Sequence, residues 1–228
     1  MPYGDGVTRD ALPPPYGELV AELVAIGRRA VTAGLVIGSG GNLSARPPRA
    51  DAAVVTAAET WLDDLTPADF SLVRLVDGEV LAGHAEPTTE LPLHLENYRA
   101  RPDVNAVVHL HPQLCVLLTA LGYPIRLITT DHVYYVGEVR VARYRHPGTV
   151  ELAREAAELI EDGRCNCVVL SHHGCSVVAP NVGLAYRRAV NLEEAAVATY
   201  RVLLLGDTAT VCPPELQARV DSRPDGAV

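Results

Sequence analysis

The stretch Asn105–Pro112, NAVVHLHP, decides how the rest of this sequence is interpreted. Its apolar run is typical of a buried strand, and it ends in two histidines, His109 and His111, just before a proline. Side chains alternate across a strand, so both imidazoles project to the same face, about 6.6 Å apart along the backbone. At the end of a strand, that face opens toward a cleft. The pattern therefore predicts two imidazoles that can share one metal ion.

A second histidine cluster ends another apolar run, CVVLSHHG, over residues 167–174. We interpret this run as a second buried strand, and its histidines as the source of a third ligand. Three histidines with an open coordination position are typical of a catalytic metal site rather than a structural one. The alternative is that the histidines are structural, because the His-x-His pattern also occurs on strands without metal. Cys165 and Cys167 nearby are a weak metal signal on their own.

The pattern along the chain predicts one α/β domain over residues 16–212, between a flexible N-terminal arm (1–15) and a C-terminal tail (213–228). Residues 38–44 are expected to form a loop. We expect strands at 52–56, 70–76 and 79–83, the last two joined by a hairpin turn at Asp77-Gly78. Helices are expected at 17–33, after a Thr89 cap, and at 113–121, 149–162 and 181–205. Together these elements predict a mixed sheet covered by helices.

Composition excludes some classes of function. The 228 residues include 28 acidic and 19 Lys or Arg side chains, a formal charge of -9. No basic stripe is present to meet phosphates, so we expect no nucleic-acid partner. There is no apolar run of about 20 residues that would span a membrane. The N-terminus lacks the pattern of a signal peptide, and five cysteines without regular spacing are typical of reduced thiols, so we expect a cytoplasmic protein.

Four segments together resemble the class II aldolase/adducin family: residues 33–46 (AGLVIGSGGNLSAR), 88–112 (TTELPLHLENYRARPDVNAVVHLHP), 129–153 (TTDHVYYVGEVRVARYRHPGTVELA) and 168–174 (VVLSHHG). The family includes sugar-phosphate aldolases, an epimerase, decarboxylases and the non-catalytic adducin heads. The resemblance covers residues 17 to about 206. It implies a three-layer α/β/α sandwich with a central mixed, largely antiparallel sheet. It also implies a homotetramer with active sites at the subunit interfaces.

The resemblance also implies a divalent metal, zinc first, with Fe2+, Mn2+ or Co2+ as alternatives. Its ligands would be His109, His111 and His173, because His173 directly precedes Gly174 as the family ligand does. Glu90 matches the catalytic carboxylate, which acts as a general base or acid. Its alternative role is a helix N-terminal acid stabilised by the dipole. Asp131 matches a second acid or base of the epimerase branch, with an ordinary turn carboxylate as the alternative.

Substrate-binding positions follow from the same resemblance. Phosphate-handling members hold the phosphate with a glycine–asparagine loop, a Thr-Pro-Ser/Thr-Gly segment and a Ser-Ser-Glu segment. The matching residues here are Gly41, Asn42 and Ser44, then residues 56–59, and then Thr88 and Thr89. His132, Tyr134 and Tyr135 could line the pocket. Glu59 stands where the family has glycine, and a fixed negative charge near a phosphate dianion costs binding energy. We therefore hypothesise a non-phosphorylated substrate, unless the Glu59 side chain points to solvent.

These inferences predict a metal-dependent lyase that cleaves a C–C bond of a hydroxy-carbonyl or keto-acid substrate, by retro-aldol cleavage or decarboxylation. In such a reaction the metal polarises the carbonyl and stabilises the enediolate. Two alternatives remain open. One is an Fe(II)-dependent oxygenase on the same fold, because three histidines also suit iron. The other is a non-catalytic, adducin-like assembly module, which the retention of all three histidines and Glu90 disfavours.

Overall fold

The computed structural model describes residues 12–216, so most of the predicted arm and tail lies outside the described residues. Within that range the chain alternates strands and helices. The strands are β1 (Asn42–Ala45), β2 (Ala52–Thr56), β3 (Phe70–Arg74), β4 (Val80–Gly83), β5 (Ala106–Leu110), β6 (Glu138–Ala142), β7 (Cys165–Leu170) and β8 (Gly174–Ala179). The α-helices are α1 (Tyr16–Thr32), α2 (Leu91–Ala100), α3 (Gln113–Ala120), α4 (Val150–Glu158) and α5 (Val182–Leu204). None of these helices has the combined length and apolarity that crossing a bilayer requires.

All eight strands form one sheet, in the order β4-β3-β2-β1-β5-β8-β7-β6. Every neighbouring pair is antiparallel except β6 and β7, which run parallel. The prediction of a mixed, largely antiparallel sheet is therefore confirmed. β5, which carries His109, lies in the middle of the sheet between β1 and β8. Its central position surrounds the histidines with backbone on both sides.

Helices cover both faces of the sheet, which confirms the three-layer sandwich. On one face, α1, α3 and α5 pack against a core cluster that includes Val108 and Leu110 of β5. On the other face, α2 and α4 pack against a second cluster that includes Val107. His109 has the same parity along the strand as Val107, so its side chain lies on the α2 face. The alternation of β5 therefore directs the histidines toward the N-terminal end of α2.

The structure corrects three details of the predicted elements. The strand predicted at 167–174 ends at Leu170, and the histidines lie in the tight turn that joins β7 to β8. Thr89 is not the cap of α2: Glu90 is the N-cap residue, without a side-chain capping hydrogen bond. The loop predicted at 38–44 is a loop only up to Gly41, because Asn42 already begins β1 and pairs with His109.

Candidate active site

His109 and His111 lie at the carboxyl end of β5 with their imidazoles together. Their Nε2 atoms are 3.0 Å apart. His109 Nδ1 lies 2.9 Å from the backbone carbonyl oxygen of Cys175 on β8, an acceptor to which it donates its proton. With its proton on Nδ1, His109 presents a lone pair at Nε2, which is the tautomer that a metal ligand needs. The hydrogen bond to β8 therefore holds the His109 ring in the orientation of a metal ligand.

The turn between β7 and β8 brings a third imidazole to the same point. The ring of His173 lies 4.8 Å from that of His109 and 5.0 Å from that of His111, measured between centroids. Gly174 follows because nothing larger fits there: a Cβ atom would lie 2.4 Å from the Leu110 carbonyl oxygen and 2.6 Å from Cδ2 of His111. His172 is exposed and takes a left-handed φ of 58°, so it serves the turn and stays outside the cluster.

Glu90 reaches the histidines from the opposite side of the cleft. The segment before it runs along the end of β2, where the Thr88 amide donates to the Thr56 carbonyl at 2.9 Å. Glu90 itself is buried, with 7% of its surface exposed. Its Oε2 lies 2.8 Å from Nε2 of His109, and its Oε1 lies 3.5 Å from Nε2 of His173. The Asn42 amide donates to Oε2 at 3.0 Å.

Glu90, His109, His111 and His173 form a compact donor set whose ligand atoms all lie within 4.8 Å of one another. Within residues 12–216, Glu90 Oε1 and His173 Nδ1 are buried without a hydrogen-bond partner, which is costly for polar atoms. Nitrogen and oxygen donors of this kind suit zinc and related divalent metals. The unpartnered carboxylate oxygen beside three imidazoles therefore fits a divalent metal.

The protonation states agree with this interpretation. Burial, followed by the neighbouring His109, lowers the pKa of His111 to about 3 and that of His173 to about 4, although Glu90 opposes the shift. Both imidazoles are then neutral near pH 7 and free to donate a lone pair. Burial raises the pKa of Glu90, but His109, His173 and the Asn42 amide outweigh it and hold that pKa well below its usual range. Glu90 is therefore a carboxylate.

A polar cavity of about 180 Å³ opens directly onto this donor set. This volume suits a small substrate, since the pockets that bind drug-sized ligands measure roughly 300–1,000 Å³. Its wall brings together three loop segments and the site residues, namely Ser39, Gly40, Gly41, Asn42, Ala57, Ala58, Glu59, Thr60, Thr88, Thr89, Glu90, His111, Pro147 and His173. Five of the predicted substrate-binding residues therefore line it: Gly41, Asn42, Glu59, Thr88 and Thr89.

Glu59 has an unusual backbone conformation. Its φ is +58°, in the left-handed region that glycine adopts without penalty. A side chain other than glycine costs roughly 1–2 kcal/mol there. Glu59 therefore adopts a backbone conformation that favours glycine, and its side chain adds a carboxylate at the exposed edge of the cavity.

Ser44 does not line the cavity. It is fully buried, and its hydroxyl lies 2.7 Å from Nδ1 of His94 and 2.8 Å from the Tyr98 hydroxyl. Neither His94 nor Tyr98 was among the predicted site residues. Glu90, His94 and Tyr98 stand four residues apart, and this spacing on one helix face was the available signal.

Asp131, His132 and Tyr135 lie elsewhere in the single chain. His132–Val136 forms one π-helical turn that packs on α5, and the turn was not predicted. His132 is buried, and its Nδ1 accepts from the amides of Ile128 and Thr129 at 3.3 Å. Asp131 is exposed, and Tyr135 stacks edge-on with Tyr134 at 4.9 Å between ring centroids. None of these side chains belongs to the cavity wall formed by one copy of residues 12–216.

The model of the family described as "Class II Aldolase and Adducin N-terminal domain" matches residues 21–200. The chain belongs to this family. The match contains β1, β5, α2 and the β7–β8 turn, and therefore every member of the donor set. The resemblance found in the sequence is thus confirmed over nearly the whole described chain.

Individual relatives place the chain among enzymes. It is 31% identical over 196 residues to a 5-deoxy-D-ribulose 1-phosphate aldolase of Bacillus thuringiensis, covering 86% of this chain and 91% of the relative. It is 34% identical over 179 residues to a 3-oxo-tetronate 4-phosphate decarboxylase of Escherichia coli, covering 76% and 81%. The structure of an L-fuculose 1-phosphate aldolase superposes with a TM-score of 0.81 and 26% identity, covering 95% and 98%. The chain is accordingly a metal-dependent lyase.

Proposed function

We propose that this protein cleaves a carbon–carbon bond of a small hydroxy-carbonyl compound, with Glu90 as the proton-transferring group. The observation that carries the proposal is the convergence of Glu90 and three histidines in one donor set, of which Glu90, His111 and His173 line a polar cavity. A metal held by His109, His111 and His173, zinc first, would polarise the substrate carbonyl and stabilise the negative charge left when the bond breaks. Metal analysis of the protein purified without added metal tests which ion it holds.

Retro-aldol cleavage needs two proton movements. One proton leaves the hydroxyl group of the carbon that departs as an aldehyde, and another is added to the carbon that remains. Glu90 is the carboxylate on the cavity wall with an oxygen that has no other hydrogen-bond partner in residues 12–216. It is therefore suited to accept the proton that leaves the hydroxyl group and then to deliver it to the carbon that remains. Asn42 holds the other oxygen of Glu90 and so limits rotation of the carboxylate.

Decarboxylation is the second candidate, because the relative at 34% identity is named as a decarboxylase. In that reaction carbon dioxide departs in place of the aldehyde, and Glu90 delivers to the remaining carbon a proton that it has first accepted from water. An assay that measures released aldehyde and released carbon dioxide from the same substrate panel separates the two. Aldehyde without carbon dioxide supports aldol cleavage, and the reverse result supports decarboxylation.

We further propose that the substrate is not phosphorylated, although the relatives named above act on sugar phosphates. Glu59 supports this proposal although it is exposed, because it also lines the cavity and adds a carboxylate to its edge at the position of the family's glycine. No lysine or arginine is found in the cavity wall that residues 12–216 form, so no basic side chain there compensates for that charge. Two carboxylates in one small cavity favour a neutral or hydroxyl-rich substrate over a dianion.

The test compares a ketose with its 1-phosphate in the wild type and in two Glu59 variants. E59G removes the charge and restores glycine, whereas E59Q removes the charge and keeps the size of the side chain. We expect both to raise kcat/KM for the phosphorylated compound by about tenfold, equivalent to about 1.4 kcal/mol. A wild-type enzyme that already prefers the phosphorylated ketose would contradict the proposal.

We also propose a homotetramer in which a neighbouring subunit completes each active site. Asp131 and Tyr135 lie outside the cavity of their own chain, while the resemblance assigns Asp131 to the catalytic site. Several large apolar side chains are exposed in the single chain and are available for contacts between subunits, among them Leu117, Leu121 and Tyr123 near α3. Such patches mark interaction surfaces when they are contiguous. Native mass spectrometry would detect a mass about four times 24.4 kDa.

A further inference from the structure

A continuous chain of hydrogen bonds leads from the core of the protein to Glu90. The Tyr98 hydroxyl lies 2.8 Å from Ser44 Oγ, and Ser44 Oγ lies 2.7 Å from Nδ1 of His94. Nε2 of His94 lies 2.6 Å from Oδ1 of Asn42, whose Nδ2 donates to Glu90 Oε2 at 3.0 Å. All five residues are buried, so no solvent substitutes freely for any of these bonds. We call this chain of side chains the relay.

The proton positions in the relay follow from chemistry alone. Asn42 must point its NH2 group at the Glu90 carboxylate, because the flipped amide would face it with a second acceptor. Its Oδ1 can then only accept, so His94 carries its proton on Nε2. Burial, followed by His109, lowers the pKa of His94 to about 3 against the opposing effect of Glu90, so the ring is neutral. His94 Nδ1 therefore accepts from Ser44, and Ser44 in turn accepts from Tyr98.

The relay is possible because the spacing of its residues along the helix is close to their spacing along the strand. Glu90, which is the N-cap of α2, and His94 and Tyr98 on α2 are four residues apart, and four residues of a helix rise about 6.0 Å. Asn42 and Ser44 are two residues apart on β1, where the step is about 6.6–6.8 Å. The helix and the strand can therefore interdigitate their polar side chains over two turns. Because Asn42 pairs with His109, the Asn42 end of the relay lies beside the candidate metal ligands.

We propose that His94 is a positioning residue that acts through Asn42 to hold the Glu90 carboxylate against the three histidines. The inference rests on the proposed function, because it assigns a purpose to the orientation of Glu90. Ser44 and Tyr98 set the tautomer of His94, and His94 sets which way the Asn42 amide faces. If His94 carried its proton on Nδ1 instead, its bare Nε2 would face Asn42 Oδ1. The amide would then turn and present its oxygen to Glu90.

A role in docking α2 alone is the competing explanation, and the protein contains a matched control for it. Asn97, also on α2, donates to Ser176 Oγ on β8 at 2.9 Å, and both residues are buried. S176A removes a buried strand hydroxyl bonded to α2, as S44A does, but it leaves the relay untouched. The free energies of unfolding of both variants are measured first by urea denaturation, so that any loss of stability is known.

The experiment titrates metal-free protein with Co2+ alone and records both its affinity and its visible absorption, which reports the coordination of the ion. In S44A and H94L we expect Co2+ affinity about tenfold lower and a changed spectrum, since outer groups that orient ligands are worth 10–100-fold in affinity. H94Q should recover much of the loss, because its amide can donate to Asn42. S176A should bind within about twofold of the wild type with the same spectrum.

Two results would separate a failed relay from a failed metal site. If S44A and H94L match S176A in affinity and spectrum while H109A loses Co2+, the positioning role is wrong and the metal site stands. If H109A binds Co2+ as well as the wild type does, the proposed function itself is wrong. Weaker binding and a changed spectrum in S44A and H94L, with rescue by H94Q, support the relay.

Discussion

At the scale of single residues, the two carboxylate oxygens of Glu90 have different contacts. Oε2 is bonded to Asn42 and lies against His109, while Oε1 has no hydrogen-bond partner within residues 12–216. E90Q keeps the size of the side chain but removes its ability to exchange a proton. We expect kcat to fall about 10²–10⁴-fold, the usual contribution of general acid–base catalysis, while the metal stays bound to the histidines with an affinity lower by about tenfold.

The measurement pairs kcat with zinc content, determined on the same samples by mass spectrometry. E86Q is the control, because Glu86 is an exposed carboxylate in the same segment, outside the cavity wall. Full activity in E90Q would remove Glu90 from the mechanism. Loss of zinc in E90Q would instead make the carboxylate a ligand first and a base second.

Gly174 offers a second prediction at the same scale. In G174A the new methyl group would meet the Leu110 carbonyl oxygen, Cδ2 of His111 and Cε1 of His109 at 2.4, 2.6 and 3.1 Å. Backbone and two metal-site rings would have to shift, so we expect a loss of about 1–3 kcal/mol in the free energy of unfolding together with weaker zinc binding.

Urea denaturation and zinc titration of G174A test this expectation. G183A is a suitable control, because a Cβ atom there would make only an ordinary contact at 3.6 Å with Asn181 Oδ1. G183A should be neutral or slightly stabilising, as alanine is favoured over glycine in a helix by roughly 1 kcal/mol. Unchanged zinc affinity in G174A would show that the turn tolerates a side chain beneath the imidazoles.

At the residue scale, the sequence predicted most where the arrangement depends only on residues that are close together in the chain. The alternation of His109 and His111 on one strand required no knowledge of the fold. The relay was out of reach, because it depends on the register of β1 against β5 and on the docking of α2. Ser44 shows the limit: its sequence motif indicated a substrate contact, whereas its register and burial place it under His94.

At the scale of elements, the first turn of α3, the helix that follows β5, is stabilised by a side chain from α5. Glu193 on α5 accepts hydrogen bonds from the amides of Leu114 and Cys115 at 2.9 Å each, in the first turn of α3. The carboxylate thereby satisfies two amides that a helix N-terminus leaves without partners. Because α3 begins two residues after His111, Glu193 also fixes the end of the segment that carries a candidate ligand.

The protonation of Glu193 makes this contact sensitive to pH. Burial raises the pKa of Glu193, although the amides of Leu114 and Cys115 oppose the shift. A raised pKa means that the folded state keeps this proton to higher pH than the unfolded state does. The stability that Glu193 contributes is then complete below the unfolded pKa and is lost as pH rises through the folded value. E193Q has no such dependence.

We therefore expect the stability of the wild type relative to E193Q to fall between pH 4 and pH 7, measured by urea denaturation at both values. E158Q serves as the control, since Glu158 is exposed and lies on α4, on the other face of the sheet from α3. The opposite trend, with the wild type gaining on E193Q as pH rises, would show that the two amides outweigh burial. E193A should lose about 1–2 kcal/mol at either pH through loss of the cap.

Element prediction succeeded where a pattern was long and failed where an element was short. α1, α4 and α5 follow clear helical periods, and the hairpin around Gly78 has a turn that requires a positive φ, observed at 78°. β6 and β8 were missed. β8 begins directly after the turn that contains His173. Its apolar residues were therefore not recognised in the sequence as a separate strand. The π-helical turn at His132–Val136 has no sequence signal, since only its packing on α5 defines it.

At the scale of the whole molecule, the two core clusters on either face of the sheet bury most of the thiols. Cys115, Cys165, Cys167 and Cys175 are buried, whereas Cys212 is partly exposed. Burial raises the pKa of all four buried thiols, that of Cys175 to about 12. Reactive thiolates at these positions are therefore scarce near neutral pH.

Labelling with a chromogenic disulfide at pH 7.5 should consequently titrate one fast thiol in the folded protein and five in denaturant. C212S should leave none that reacts quickly. Rapid reaction of two or more thiols in folded C212S would indicate that the sandwich opens locally around β7 and β8. Because Cys175 follows Gly174, added zinc should slow any such opening, and the labelling rate with and without zinc measures this.

The proposed tetramer predicts that each active site needs residues from two subunits. If Asp131 of one subunit completes the cavity that contains Glu90 of the next, D131N and E90Q should each be nearly inactive as pure oligomers. When the two variants are dissociated together and reassembled in equal amounts, about one site in four pairs an intact Glu90 with an intact Asp131, assuming random cyclic assembly. Activity should then recover to about a quarter of the wild type, whereas mixing without dissociation should recover none. Sites that lie within one chain would give no recovery under either condition, and Asp131 would then be an ordinary surface carboxylate.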